Sequence, residues 1–142
     1  ALNLLNRLKS QLKKYIKIQR KRQICDLSYS QMRKVEKPWG YENIWAETEK
    51  YVGKFMFIKA GHRMSLQYHE IKEETIYVQD GVLRVWHSEK PGDFTDLSAG
   101  EVYHVTPKTV HRFGATSAPV YLIEISTSEL DDVVRLADDY KR

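Results

Sequence analysis

The sequence predicts an all-β domain, a barrel or sandwich, with a helix at each end. Short β-rich runs follow one another at close spacing after Lys37. Gly- and Pro-containing turn signals separate them. Helical periodicity is confined to the two terminal segments. The chain has 142 residues, enough for one domain that buries a core without disulfides.

Residues 2–22 read as the first helix. Leu5, Leu8, Leu12, Tyr15, Ile16 and Gln19 recur at helical spacing, and no Gly or Pro interrupts them. Lys9, Lys13, Lys14, Lys17, Arg20, Lys21 and Arg22 cover the other faces. The expected division is a basic amphipathic arm over residues 1–35 and a barrel over residues 36–142. Residues 1–37 carry 11 Lys and Arg against 2 acids, and the remainder carries 12 against 17. The formal charge of +4 is therefore a basic arm on an acidic body. Such a helix suits docking on its own barrel, self-association with a second copy, or an anionic membrane surface. No nucleic-acid partner is expected, since the arm has no binding motif and no set of stacking aromatics.

Pro38-Trp39-Gly40 is a turn, and strands are expected at 41–46, 52–59, 65–69, 74–79, 82–87, 101–106 and 120–126. Asp80-Gly81 between two of them is a hairpin signature, because the pair suits a tight turn with positive φ. Pro91-Gly92-Asp93 marks another turn. Residues 131–140 read as a short closing helix. Glu129, Asp131 and Asp132 suit its N-terminus, and Lys141 and Arg142 its C-terminus.

Composition narrows the function classes. The single cysteine, Cys25, forms no internal disulfide, so a plain thiol in a reducing, cytoplasmic setting is expected. No apolar run approaches the roughly 18 residues of a membrane span. Charges interrupt every candidate signal-peptide core.

The chemistry concentrates in two stretches. In the first, Gln67 and His69 are two residues apart, as are Lys72 and Glu74. On barrel strands, such pairs face the same side and can aim an amide oxygen, an imidazole and a carboxylate into one cavity. Ile76 and Val78 continue that face into the core. In the second stretch a strand ends at Pro107 and a further histidine, His111, follows. His104 is a reserve ligand inside the preceding strand. The four residues Gln67, His69, Glu74 and His111 suit one divalent ion, zinc first, with Mn2+, Fe2+, Ni2+ and Co2+ as alternatives. The bland alternative is a polar barrel interior that forms a hydrogen-bond network without metal.

These stretches resemble the two cupin motifs. The first motif is written G-x5-H-x-H-x3,4-E-x6-G, and Gly61, His69, Glu74 and Gly81 match it with Gln67 in place of the first His. The second motif places a Pro-x-Gly turn before its His. Here Thr109 takes the Gly position and the spacing to His111 is one residue short. The runs at 37–42, 65–69 and 122–124 through 131–140 are similar to the cupin domain appended to mannose-1-phosphate guanylyltransferases, the mannose-6-phosphate isomerase type II family. The resemblance implies a double-stranded β-helix (jelly-roll) barrel. It also implies a zinc-type site whose Gln-x-His pair, Glu and later His fall on Gln67, His69, Glu74 and His111. The implied reaction is aldose–ketose isomerisation of a sugar phosphate through an enediol, with the metal polarising the carbonyl. Lys72 and Glu124 are then the candidate catalytic groups, and Arg63 and Lys54 the candidate phosphate contacts. Pairing of barrels into a homodimer is also implied. This stretch carries no nucleotide-binding domain, so nucleotidyl transfer is not expected of it. The rival functions are a non-catalytic sugar-phosphate-binding or regulatory cupin and a metal-free sugar-nucleotide epimerase, which would need a His–Asp base pair.

Overall fold

The computed structural model describes residues 31–141. The helix expected over residues 2–22, and Cys25, lie outside them. Among the described residues there are eleven strands and no helix. The first six are β1 (Arg33–Lys37), β2 (Gly40–Glu47), β3 (Val52–Ile58), β4 (Leu66–Tyr68), β5 (Glu74–Asp80) and β6 (Val82–Trp86). Then come β7 (Phe94–Ser98), β8 (Val102–Val105), β9 (Arg112–Ala115), β10 (Val120–Ser126) and β11 (Val134–Ala137). A six-stranded sheet runs β1-β2-β3-β10-β5-β8, and the remaining strands form a three-stranded sheet β7-β6-β9 and a ribbon β11-β4. All pairings are antiparallel.

Alternation decides what faces inward. In β3 the inward residues are Val52, Lys54, Met56 and Ile58; in β10 they are Val120, Leu122, Glu124 and Ser126; in β5 they are Glu74, Ile76 and Val78. Register places like beside like. Leu122 lies between Met56 and Val78, whereas Glu124 pairs with Lys54 and Ser126 with Glu74. The interior is therefore graded along the strands. One end is an apolar plug in which Ile58, Val78, Leu83, Val85, Val120 and Leu122 are fully buried. Each such side chain contributes about 1.5–3 kcal/mol of burial. The other end is lined by charge. The outward face of the large sheet is aromatic instead, with Tyr41 stacked on Phe57 at 5.1 Å and Phe57 against Tyr121 at 5.0 Å.

Two sequence expectations are corrected. Asp80-Gly81 does not close a hairpin, because β5 and β6 belong to different sheets. Gly81, at φ 87°, turns a corner between the two layers, where an added Cβ would lie 2.6 Å from the carbonyl oxygen of Pro119. Inward residues of β5 and β6 thereby reach the same core from opposite sides. The short C-terminal helix over residues 131–140 is also absent. Residues 134–137 are strand β11, with Val134 opposite Tyr68 and Arg135 opposite Gln67. Asp131 and Asp132 do not start a helix. The Asp132 carboxylate instead accepts the backbone N–H groups of Lys72 and Ile71, each at 2.7 Å, and of Glu70 at 3.0 Å.

Those three donors pull the Asp132 carboxyl down to about 2. A carboxyl depressed on folding adds stability that is complete above its ordinary range and is lost as pH falls through the folded value. Wild type should therefore lose this contribution between about pH 4 and pH 2. Asp132→Asn should lose less stability than wild type over that range, as thermal midpoints measured against pH would register.

Among the described residues no helix is long and apolar enough to cross a membrane.

Candidate metal centre

Four elements bring the site together. His69 follows β4, Glu74 opens β5, Glu124 sits on β10, and His111 precedes β9. His111 is placed by its backbone. Its N–H donates to the Gln67 carbonyl and its own carbonyl accepts from the Gln67 N–H, both at 2.9 Å. The shortened turn before it is accommodated at Lys108, which adopts φ 67°, a conformation normally left to glycine. The left-handed residue follows the proline directly, and Thr109 donates its N–H to Thr106 at 3.2 Å.

His69, Glu74 and His111 are all buried, and their ligand atoms lie within 4.8 Å of one another. Nδ1 of His111 lies 2.9 Å from the Thr109 carbonyl, and Nδ1 of His69 bonds the Asp132 carbonyl. A carbonyl only accepts, so each Nδ1 carries a proton, and Nε2 is the ring atom left to face an ion. Those Nε2 atoms lie 3.2 Å (His111) and 3.7 Å (His69) from Glu74 Oε1, and neither has a hydrogen-bond partner. Two ring nitrogens and a carboxylate oxygen converging in this way need a positive charge among them, a metal ion or a proton carried on Nε2. Buried polar atoms without partners are rare in native interiors. The donor set, two imidazoles and a carboxylate, with each imidazole fixed by a carbonyl behind it, fits a borderline divalent ion.

Gln67 lies on the same cavity wall. Its Oε1 accepts from the Ser65 hydroxyl at 2.7 Å, which orients the amide and leaves its second lone pair. His104 takes no part: it is exposed, with Nδ1 2.9 Å from the Thr75 hydroxyl and Nε2 3.1 Å from Glu73.

Behind the trio runs a chain of alternating charge. Lys72 bonds Glu74 Oε2 and lies 3.0 Å from Glu124 Oε1. Lys54 lies 3.2 Å from the same Glu124 oxygen and 3.9 Å from Glu42, which Lys37 approaches at 3.7 Å. Lys54, Lys72, Glu74 and Glu124 are all buried. Burial opposes the Lys72 charge, but Glu124 and Glu74 outweigh it and hold the ammonium above its ordinary pKa. Burial likewise opposes the Glu74 charge. The rings of His111 and His69 and the Lys72 ammonium overcome it, and the carboxyl stays well below its usual range. Glu124, on β10, faces inward.

The site opens on a cavity of about 510 Å3, within the range of small-molecule pockets. Trp39, Met56, Met64 and Phe113 line its apolar part, and Lys54, Lys72, Glu124 and Gln67 its polar part. Arg63 is not among its lining residues. That guanidinium is bound twice by Asp139, at 2.7 and 3.1 Å, and lies over Trp86.

Residues 26–138 match the family described as mannose-6-phosphate isomerase, C-terminal. The chain belongs to that family. Two curated relatives are mannose-1-phosphate guanylyltransferases. RfbM of Salmonella typhimurium is 29% identical over 112 residues, covering 76% of this chain, and the Escherichia coli enzyme is 33% identical over 115 residues, covering 78%. The chain spans 23% of the length of each. Solved structures agree on the fold. A double-stranded β-helix protein from Klebsiella pneumoniae aligns with a TM-score of 0.63 at 17% identity, covering 76% of this chain and 91% of that one. KdgF from Halomonas aligns at 0.61 and 21%, covering 73% and 97%. Oxalate decarboxylase from Bacillus subtilis aligns at 0.63 and 16%, covering 74% and 30%. The chain is thus a cupin barrel whose His/Glu/His group could hold a metal.

Proposed function

We propose that the domain is a metal-dependent sugar-phosphate isomerase, of the kind that interconverts mannose 6-phosphate and fructose 6-phosphate. The observation that carries this reading is the convergence of two unpartnered Nε2 atoms on Glu74 at a cavity with a buried lysine and a further buried carboxylate. His69, Glu74 and His111 would hold the ion, with the Gln67 amide oxygen beside them. A bound zinc or similar ion supplies a Lewis acid that polarises a sugar carbonyl.

The protein's own groups supply the rest. The Lys72 ammonium, held protonated by its two carboxylates, presents a fixed positive charge where negative charge develops on the substrate oxygens. Glu124, oriented by Lys54 and Lys72, is the carboxylate left to move a proton between adjacent carbons. The apolar wall of Trp39, Met56 and Phe113 limits water around them.

A coupled assay on mannose 6-phosphate with the ion restored tests the reading. Glu124→Gln should lower kcat by about 10^2- to 10^4-fold while ion content is retained. Absence of turnover by the ion-loaded wild type would remove the isomerase. A non-catalytic sugar-phosphate-binding module is the second reading, favoured by one observation: both curated relatives are named for another reaction. For an epimerase of the His–Asp type there is less support. Among the described residues each histidine ring nitrogen that has a polar partner meets a carbonyl, a hydroxyl or a glutamate.

A further inference from the structure

The cavity lining holds the cations Arg33, Lys37, Lys54, Lys72 and Arg135 and the acids Glu42, Glu47, Glu74, Glu124 and Asp131. Four of the cations are engaged by these carboxylates. Arg33 lies 2.7 Å from Glu47, Lys37 3.7 Å from Glu42, Lys54 3.2 Å from Glu124 and Lys72 3.0 Å from Glu124. Arg135 has no ion pair and no side-chain hydrogen bond among the described residues.

Its direction follows from the ribbon. Arg135 is the register partner of Gln67, and cross-strand partners share a face. Val133 and Arg135 line the cavity, while Val134 and Leu136 do not, as strand alternation requires. The guanidinium therefore rises from the same wall as Gln67, beside the candidate metal ligands. Charge points the same way. Equal numbers of cations and acids leave the lining neutral, and a divalent ion on the trio would make it doubly positive. A phosphomonoester carries about −1.5 to −2 at neutral pH and would balance that. The guanidinium fork matches a phosphate with two parallel hydrogen bonds.

We propose that Arg135 anchors the phosphate of the substrate, with the sugar end directed to the metal face. The proposal rests on the sugar-phosphate reading and replaces the sequence candidates for this role. Arg63 lies off the cavity in a pair with Asp139, and Lys54 is bound to Glu124. The ligand class is then a phosphorylated small sugar, and the unphosphorylated sugar should bind poorly.

Calorimetric titration of ion-loaded protein tests it, with mannose 6-phosphate, mannose and inorganic phosphate as probes. Arg135→Gln should weaken mannose 6-phosphate and phosphate by about 10- to 100-fold and leave mannose unchanged. Arg135→Lys should restore part of the loss, and Arg63→Gln should have no effect. Arg135 is an exposed residue on a short ribbon, so an unchanged melting midpoint is expected and checks folding. Mannose 6-phosphate binding that is unaltered in Arg135→Gln, or equally weakened in Arg63→Gln, overturns the anchor. So does a wild type that binds neither phosphorylated probe. Arg135-dependent binding without turnover would remove the isomerase reading and still support the anchor. If turnover is present, Arg135→Gln should raise KM with little change in kcat.

Discussion

His111→Ala should abolish stoichiometric metal binding. Wild type purified without chelator should hold about one divalent ion per chain, and the variant close to none. The reason lies in the number and the state of the donors. Three buried groups face one point, and two of them are rings whose Nδ1 atoms are held by carbonyls, which turns each Nε2 toward that point. Mutations that only disturb such a backing bond cost about 10- to 100-fold in affinity, so removal of the ligand itself should exceed that. A second readout separates metal loss from misfolding. At 100 times its Kd an ion that binds only the folded state adds about 2.7 kcal/mol. For a domain of this size that is on the order of 10 °C in melting midpoint. The wild type should show that rise on adding zinc or manganese and lose it in chelator, while the variant should melt at one temperature in both. If wild type gains neither ion nor stability, the trio is a hydrogen-bond network and the isomerase reading goes with it.

How much of this was legible in the sequence depended on the range of the interaction. Same-face pairs are local, so Gln67, His69 and Glu74 could be read from spacing, as could the inward Ile76 and Val78. His111 was harder, because its position depends on a two-way backbone bridge to Gln67 and on a left-handed Lys108 that no residue preference announces. The segment 131–140 opens on acids and is followed by Lys141 and Arg142, which is the charge pattern of a helix with its flanks. Tertiary pairing with β4 overrode it, and the Asp132 carboxylate found donors in the loop at 70–72 instead. Arg135 was lost with that misreading, since on a helix it would have been one of several surface charges. Gly81 shows the complementary limit. A positive φ was foreseeable, but whether it closed a hairpin or turned a corner was decided by which layer each strand joined.

Lys72→Met should be the most destabilising single change at the site, by about 3–5 kcal/mol. Its ammonium lies between Glu74 and Glu124, and all three are buried. Methionine is a close match in volume, so the cost is the two carboxylates left short of a partner rather than a cavity. That argument has a sign that can be checked. Lys72→Met combined with Glu124→Gln removes one of the stranded charges, so the double variant should melt higher than Lys72→Met alone, a non-additivity expected only if charge is the cause. Equal or lower stability of the double variant would point to packing instead. The metal readout should move as well. Lys72 is one of the groups that keep the Glu74 carboxyl well below its usual range. Without it the Glu74 pKa rises, and the ligand takes up its proton earlier on acidification. Metal release from Lys72→Met should therefore set in at a higher pH than from wild type, which ties the buried charge chain to the ligand it supports.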